Sequence, residues 1–516
     1  MIHPIVVVRR SYAFKFRPTA VVASVLCLFA ATVQAGIGAS FQGTSQYDNA
    51  ALAARNNFIP PDTMGAVGTT QFMEGTNGSY AVFDKFGALL QRITMKNFWD
   101  NAGQSGAPNG DQRILFDHFT NRWITIGFGA SLSDINIGVS DTSNAMGTWK
   151  STKFTGFAGG TADYPTLGMD QKGVYIGTNN FAPGFKGTSL FVIPKADLFG
   201  GAPTTANMTS FVTPLAGPDN GFAIQVAVNW GANPGNTASV MADSRIANNQ
   251  VFYKLNGVNG PGATQTATTN IAGSAYANGP SPGRQPDGTR IIDTLDPRIS
   301  ANVMQSNGKL YSVTTLDGGN DHSVVRWSVN DANTGVIIAA GNIGDASFDY
   351  FQGSIAVNEF GQVVIGYNRS GFQTADLNGD GLADGNISFM ARAYNSNGAG
   401  SLVQTNEYLL KVSTVNDYHN GSFQGEPAVG RQRWGDYSAV TLDPTDHQSF
   451  WAIGQFAREW NNAAGGHPGG SGGSRWGTWI SDIQLAPVPE PETYALMFGG
   501  LLAMAAVVRR KKAAQV

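Results

Sequence analysis

Cysteine is all but missing from this 516-residue sequence: the only one, Cys27, lies in an apolar run near the N-terminus. If that run is removed no disulfide can form, so stability has to come from sheet packing, with bound ions as the remaining aid. Charge is scarce too. Only 13% of residues are Asp, Glu, Lys or Arg, well below the roughly 25% of ordinary soluble domains, which excludes a coiled coil or other long-helix protein. The net charge of −3 supplies no basic field to neutralise phosphates, so nucleic acid is excluded as a partner. The six histidines, His3, His118, His322, His419, His447 and His467, have no metal-ligand spacing, and no His-Glu-x-x-His helix exists, which argues against a zinc hydrolase. Nor does any stretch sustain a helical period. What is abundant is glycine, with 65 residues, and aromatic side chains at 11%.

The two ends carry the long apolar runs. Arg9, Arg10, Lys15 and Arg17 precede the apolar stretch Ala20 to Ala31, and Val33-Gln34-Ala35 supplies a small-residue cleavage site. This order predicts a secretory signal peptide over 1–35. Arg9-Arg10 loosely resembles a twin-arginine signal, but the segment reads as an ordinary positive leader, and Leu26 before Cys27 argues against lipid attachment. At the other end Pro487-Val488-Pro489-Glu490-Pro491-Glu492 leads into an uncharged segment, 494–508, and then Arg509-Arg510-Lys511-Lys512. A helix of that length reaches only ~22 Å, enough to cross a bilayer core with snorkelling or local thinning, and the basic cluster should stay cytoplasmic. Pro489, Glu490 and Pro491, the hydrophobic helix and the basic terminus together resemble the PEP-CTERM sorting signal of Gram-negative bacteria, over 487–516. That resemblance implies an exosortase as partner, contact with the membrane through the C-terminal helix, and a link to extracellular polysaccharide and biofilm matrix.

Between Gly36 and Ala486 the pattern is short apolar-aromatic runs broken by Gly, Asn and Asp, which predicts many strands. The clearest are 79–83, 123–128, 174–177, 310–314, 324–329, 355–357, 363–367, 389–394, 438–442, 450–453 and 479–485, with tight turns at Asp84-Lys85-Phe86-Gly87 and Asn358-Glu359-Phe360-Gly361. Strands this short bury their faces most economically in a radial stack of four-stranded sheets, so the body (36–486) is expected to be an all-β β-propeller of about seven blades, with a tandem of β-sandwiches as the alternative. No strict repeat is visible. Four landmarks fall in order along the chain: Pro60 to Gly68; Phe116-Asp117 with Arg122-Trp123; Asp163-Tyr164-Pro165; and Arg433 to Ser438 with Asp443-Pro444 and Phe450-Trp451. In this they resemble secreted bacterial β-propellers related in fold to sialidases, a set whose own activity is not established. The Asp-box itself is degenerate here, with Ala145 where the aspartate belongs.

Candidate sites are few. In the loop Asp376-Leu377-Asn378-Gly379-Asp380-Gly381-Leu382-Ala383-Asp384, side-chain oxygens of Asp376, Asn378, Asp380 and Asp384 and the carbonyl of Leu382 match the oxygen-only shell of a structural calcium ion. Ile387 stands where an EF-hand has its bidentate acid, so a solvated turn is the alternative. Gly469-Gly470-Ser471-Gly472-Gly473 fits the nucleophile-elbow formula but lies in a glycine-rich loop, without the strand and helix the elbow needs. A sialidase-like reaction would need arginines converging on a carboxylate, with Arg113, Arg298 and Arg433 available; glycoside hydrolysis would need two carboxylates, with Asp62, Asp163 and Asp436 as the weak catalytic candidates. Paired structural arginines are the commoner outcome. The expectation is a non-enzymatic surface or matrix protein binding polysaccharide or a surface protein, with no organic cofactor; the alternative is an extracellular glycan-active enzyme.

Overall fold

The computed structural model describes residues 35–53, 58–106, 110–212, 221–244, 249–273, 279–418, 432–460 and 473–487. Nearly all of the expected signal segment, the Pro489-Glu490-Pro491 motif, the hydrophobic segment 494–508, His419, His467 and most of the 469–473 loop lie outside the described residues. Among those described, no helix is long and apolar enough to cross a membrane.

The body, Gly36–Leu485, is built from seven sheets of four or five strands in sequence order, with one further two-stranded sheet, Gly283–Arg284 paired with Arg290–Ile292. Blade 1 comprises Met64–Val67, Gln71–Thr76, Ser79–Asp84 and Leu89–Thr94; blade 2 starts at Arg113–Asp117, blade 3 at Thr161–Met169, blade 4 at Phe222–Val226 and blade 6 at Phe348–Val357. Blade 5 is centred on Lys309–Asp317 and Ser323–Asp331 and takes a short parallel pairing from Val228–Asn229 to Met304–Ser306. Blade 7 joins the two ends of the body: Ala439–Leu442, Ser449–Trp460 and Ser474–Gln484 accept the first strand, Gly36–Ser45, on their outer edge. This closure excludes a tandem of sandwiches. The seven-bladed β-propeller expected from the strand pattern is the observed architecture, and each of the eleven expected strands falls on an observed one, with Ser438 and Leu485 one residue outside. Gly87 and Gly361 take φ of +95° and +77° in the two turns singled out, a region open to glycine because it has no Cβ. Three short helices, Gln46–Ala53, Met95–Asn101 and Lys195–Phe199, are all the α-structure among the described residues.

Burial grades from axis to rim. The first strands of blades 1 and 2 are buried at every residue, whereas the fourth strand of blade 1 is wholly intermediate or exposed. Inner strands therefore read as continuous apolar runs, the pattern of a strand covered on both faces. The inner strands approach so closely that a Cβ added to Gly168 would lie 2.1 Å from the carbonyl oxygen of Val226 in the next blade.

A repeat does exist, in the backbone. Asp62, Asp111, Tyr164, Ala223 and Gln352, all at or near the start of an inner strand, take positive φ between 45° and 54°, a region costly to residues with a side chain. In blades 3, 4 and 6 these residues sit in bulges, with register breaks at Asp163/Thr166, Phe222/Gln225 and Phe351/Ser354. A bulge suspends the two-residue alternation of a strand, so neighbours such as Asp163 and Tyr164 both reach the axis. At the other end of the inner strands Asp117, Asp170, Asn358 and Asp443 accept backbone N–H groups from the turn that follows. These Asx turns fix where each inner strand ends.

Candidate functional site at the axis

The inner-strand starts of blades 1, 2, 3 and 7 gather four aspartates. Asp62 is 4% exposed. Its Oδ1 accepts the backbone N–H of Asp436 at 2.8 Å, and its Oδ2 accepts Asn77 Nδ2 at 2.6 Å. Oδ1 thus ties blade 7 to blade 1, while Oδ2 is held within blade 1. Burial, and next the charge of Asp436, push the Asp62 carboxyl up to about 7. Asp111 accepts the Tyr437 hydroxyl at 3.1 Å and is held well above the usual carboxylate range by burial and by Asp62, Asp163 and Asp436. Asp163, half-buried, is also raised, first by burial and then by Asp436. Clustered acids in a dry place resist simultaneous ionisation.

Three arginines stand among them. Arg113, 1% exposed, lies with its guanidinium carbon 3.8 Å from the centre of the Tyr437 ring and 5.2 Å from that of Tyr164. Its Nε donates to the Pro165 carbonyl at 2.8 Å. Arg298 donates twice to Asp296, at 2.7 and 2.9 Å, and lies 4.4 Å from the Tyr164 ring centre. Asp436 sits between Arg298 Nη1 at 3.9 Å and Arg433 Nη2 at 3.7 Å. The structure therefore brings together every axial candidate read from the sequence: Asp62, Asp163, Asp436, Arg113, Arg298 and Arg433. It adds Asp111, Tyr164, Tyr437 and Asn77. Asp111 has one sequence signal, since like Asp62 it stands just before an inner strand.

Around blade 7, Arg433 Nε, Asp436 Oδ1 and Gln455 Oε1 are buried with no hydrogen-bond partner; a Cβ on Gly435 would come within 3.0 Å of that Gln455 oxygen. The axis below is closed by apolar side chains. Val67, Leu115, Phe116, Met169 and Val440 surround a residual cavity of 20 Å³ with Trp230, room for about one water.

The calcium candidates lie elsewhere, between the second and third strands of blade 6. Asp376 accepts N–H groups of Gly379, Asp380 and Gly381 at 2.7–3.1 Å; Asn378, Asp380 and Asp384 accept those of Asp380, Leu382 and Leu377. No group of three or more His, Cys, Asp or Glu side chains is placed to hold a metal among the described residues.

The fold and axis define a seven-bladed propeller with an apolar-lined axis and a charged cluster at one end. Its tail, residues 487–511, matches the PEP-CTERM protein-sorting motif, which marks an exported, envelope-associated protein of Gram-negative type and implies processing by an exosortase. No curated protein matches the chain. Among solved structures it is similar to the Dos1 propeller (TM-score 0.38, 8% identity, covering 88% of this chain and 96% of that one). It is also similar to the α-L-arabinofuranosidase Arb93A from Fusarium graminearum (0.34, 9%, 87% and 98%). A third is a subtype N10 neuraminidase-like protein of the strain A/little yellow-shouldered bat/Guatemala (0.27, 10%, 63% and 94%). Likeness this low says nothing of activity, and the fold rests on the sheet topology.

Proposed function

We propose that this is an exported surface or matrix protein whose propeller binds a polysaccharide at the axial mouth formed by Asp163, Arg298, Arg433 and Asp436, without turning it over. The observation that supports it is the set of unbonded buried atoms, Arg433 Nε, Asp436 Oδ1 and Gln455 Oε1. A buried polar atom without a hydrogen bond costs about 1–3 kcal/mol. One donor beside two acceptors is what a pair of sugar hydroxyls satisfies. The sorting motif supports the address: exosortase processing, a membrane stage through 494–508, and delivery to the extracellular polysaccharide. Calcium at the 376–384 loop belongs to the same reading as a structural clamp.

Glycan-array binding with product analysis on the full chain in mild detergent tests this. Binding without released sugar, weakened at least tenfold by Arg433→Ala and Asp436→Asn, is the expected result. The enzymatic reading is favoured by one observation: Asp163 is raised by burial while Asp436 lies between two arginines, the divergent environments of an acid and a base. Released sugar abolished by Asp163→Asn would establish it and overturn the binding-only reading.

A further inference from the structure

At the opposite end of the propeller, the residues that follow the inner strands form a second cavity, of 280 Å³. We propose that it binds a neutral sugar ring, so that one copy of the protein holds glycan at both ends of its axis. The ligand class rests on the function proposed above; the pocket does not.

The floor is apolar, made by Val357, Leu442 and the indole of Trp230, and the walls are His118 and His447 with Glu359 at the rim. His118 stacks on Trp230 with ring centres 4.4 Å apart and planes 15° from parallel. Its Nε2 lies 3.1 Å from the Trp230 carbonyl oxygen. A carbonyl only accepts, so Nε2 carries the proton and Nδ1 of the neutral ring presents a lone pair. Burial lowers the His118 pKa, which keeps that ring neutral. His447 meets Trp230 edge-on at 6.2 Å and 86°, and its Nδ1 lies 2.5 Å from Glu359 Oε1. The carboxylate holds the proton on Nδ1 and turns Nε2 outward.

The chemistry selects a ligand. Among the described residues no lysine or arginine lines the cavity, which suits a neutral ligand better than a phosphate, sulfate or uronate. An aromatic and aliphatic lining with imidazole nitrogens and a carboxylate beside it suits a molecule with one C–H face and a ring of hydroxyl groups. A pyranose has that form, and 280 Å³ is at the small end of ligand pockets, about 300–1,000 Å³. Because Trp230 and the apolar axis separate the two mouths, they bind independently, and a protein with two such sites bridges glycan chains without any enzyme step.

Saturation-transfer NMR of the full chain with methyl β-glucoside, methyl β-galactoside and methyl α-mannoside tests this, followed by calorimetry on whichever binds. Transfer to a neutral glycoside, with affinity reduced about tenfold by His447→Ala and by Glu359→Gln, is expected. Both altered side chains are partly exposed, 41% for His447 and 48% for Glu359, and a melting curve matching the parent's shows that folding is spared. No transfer from any of the three, or transfer that Arg433→Ala abolishes and His447→Ala leaves intact, overturns the proposal. The second of those results would leave the axial reading standing. Binding lost only in the His447 and Glu359 variants supports the second site even if the axial one fails.

Discussion

Aspartates cluster twice in this protein, and the two clusters behave in opposite ways. Asp376, Asp380 and Asp384 lie within nine residues of one surface loop, where their oxygens accept the loop's own N–H groups. Asp62, Asp111, Asp163 and Asp436 come from four blades, and burial raises the carboxyls of the first three. The loop is local and solvated, so its negative charge is screened by water; the axial group exists only when the ring is closed and has protein in place of water. Carboxylates of the same type thus serve as turn fasteners in one place and as a stressed, arginine-balanced cluster in the other.

The largest expected break in this comparison is Arg113→Ala. The change removes a buried cation packed on Tyr437, its bond to the Pro165 carbonyl and its volume. A loss of about 3 kcal/mol or more is expected, read as a lowered urea midpoint with an unchanged slope. Removing a carboxylate from the loop, as in Asp376→Asn, should move the same midpoint by less than about 0.5 kcal/mol.

Next comes pH. Asp62 titrates near the ordinary aspartate value of 3.8 when unfolded and at about 7 when folded, so between those values the folded state holds the extra proton. Stability from this group is full below about pH 4 and falls as pH rises through 7. The difference is on the order of 4 kcal/mol at most, because each tenfold change in proton affinity is worth about 1.4 kcal/mol. Asp62→Asn cannot ionise, so its denaturation midpoint should decline less between pH 4 and 7 than the parent's. Equal slopes in the two proteins would mean that Asp62 stays charged in the folded state and that the axis is wetter than its packing indicates.

Legibility followed the range over which each feature is assembled. Buried inner strands such as Ile355 to Val357 and turns such as Asp84 to Gly87 are local and stood out in the sequence. The blade repeat did not, because it consists of positive φ at Asp62, Asp111, Tyr164, Ala223 and Gln352, residue types with no shared composition. Asp62, Asp163, Asp436 and the arginines were nameable from their landmarks, but Asp62 and Asp436 are 374 positions apart, and only ring closure puts one against the other. The second mouth was invisible for the same reason. His118 and His447 looked scattered, yet each follows the inner strand of its own blade, and Trp230 brings them together.

A modest effect is expected at the loop in the presence of calcium. If calcium is the loop's ligand, Asp376, Asn378, Asp380, the Leu382 carbonyl and Asp384 bind it, and the four side chains already accept hydrogen bonds from the loop, so little ordering is needed. An ion held with millimolar affinity stabilises by about 1 kcal/mol at severalfold excess, and in a propeller of this size that raises Tm by only a few degrees. We expect roughly 10 mM calcium to produce such a rise in the parent and none in Asp380→Asn, with magnesium much weaker because it demands a tighter octahedral shell. The axial cluster should not share the response, since Arg298 and Arg433 already hold Asp436; the calcium increment should therefore persist in Asp436→Asn. An increment lost in that variant and kept in Asp380→Asn would reverse the assignment, making the axis the cation site and the loop a turn that its own backbone satisfies.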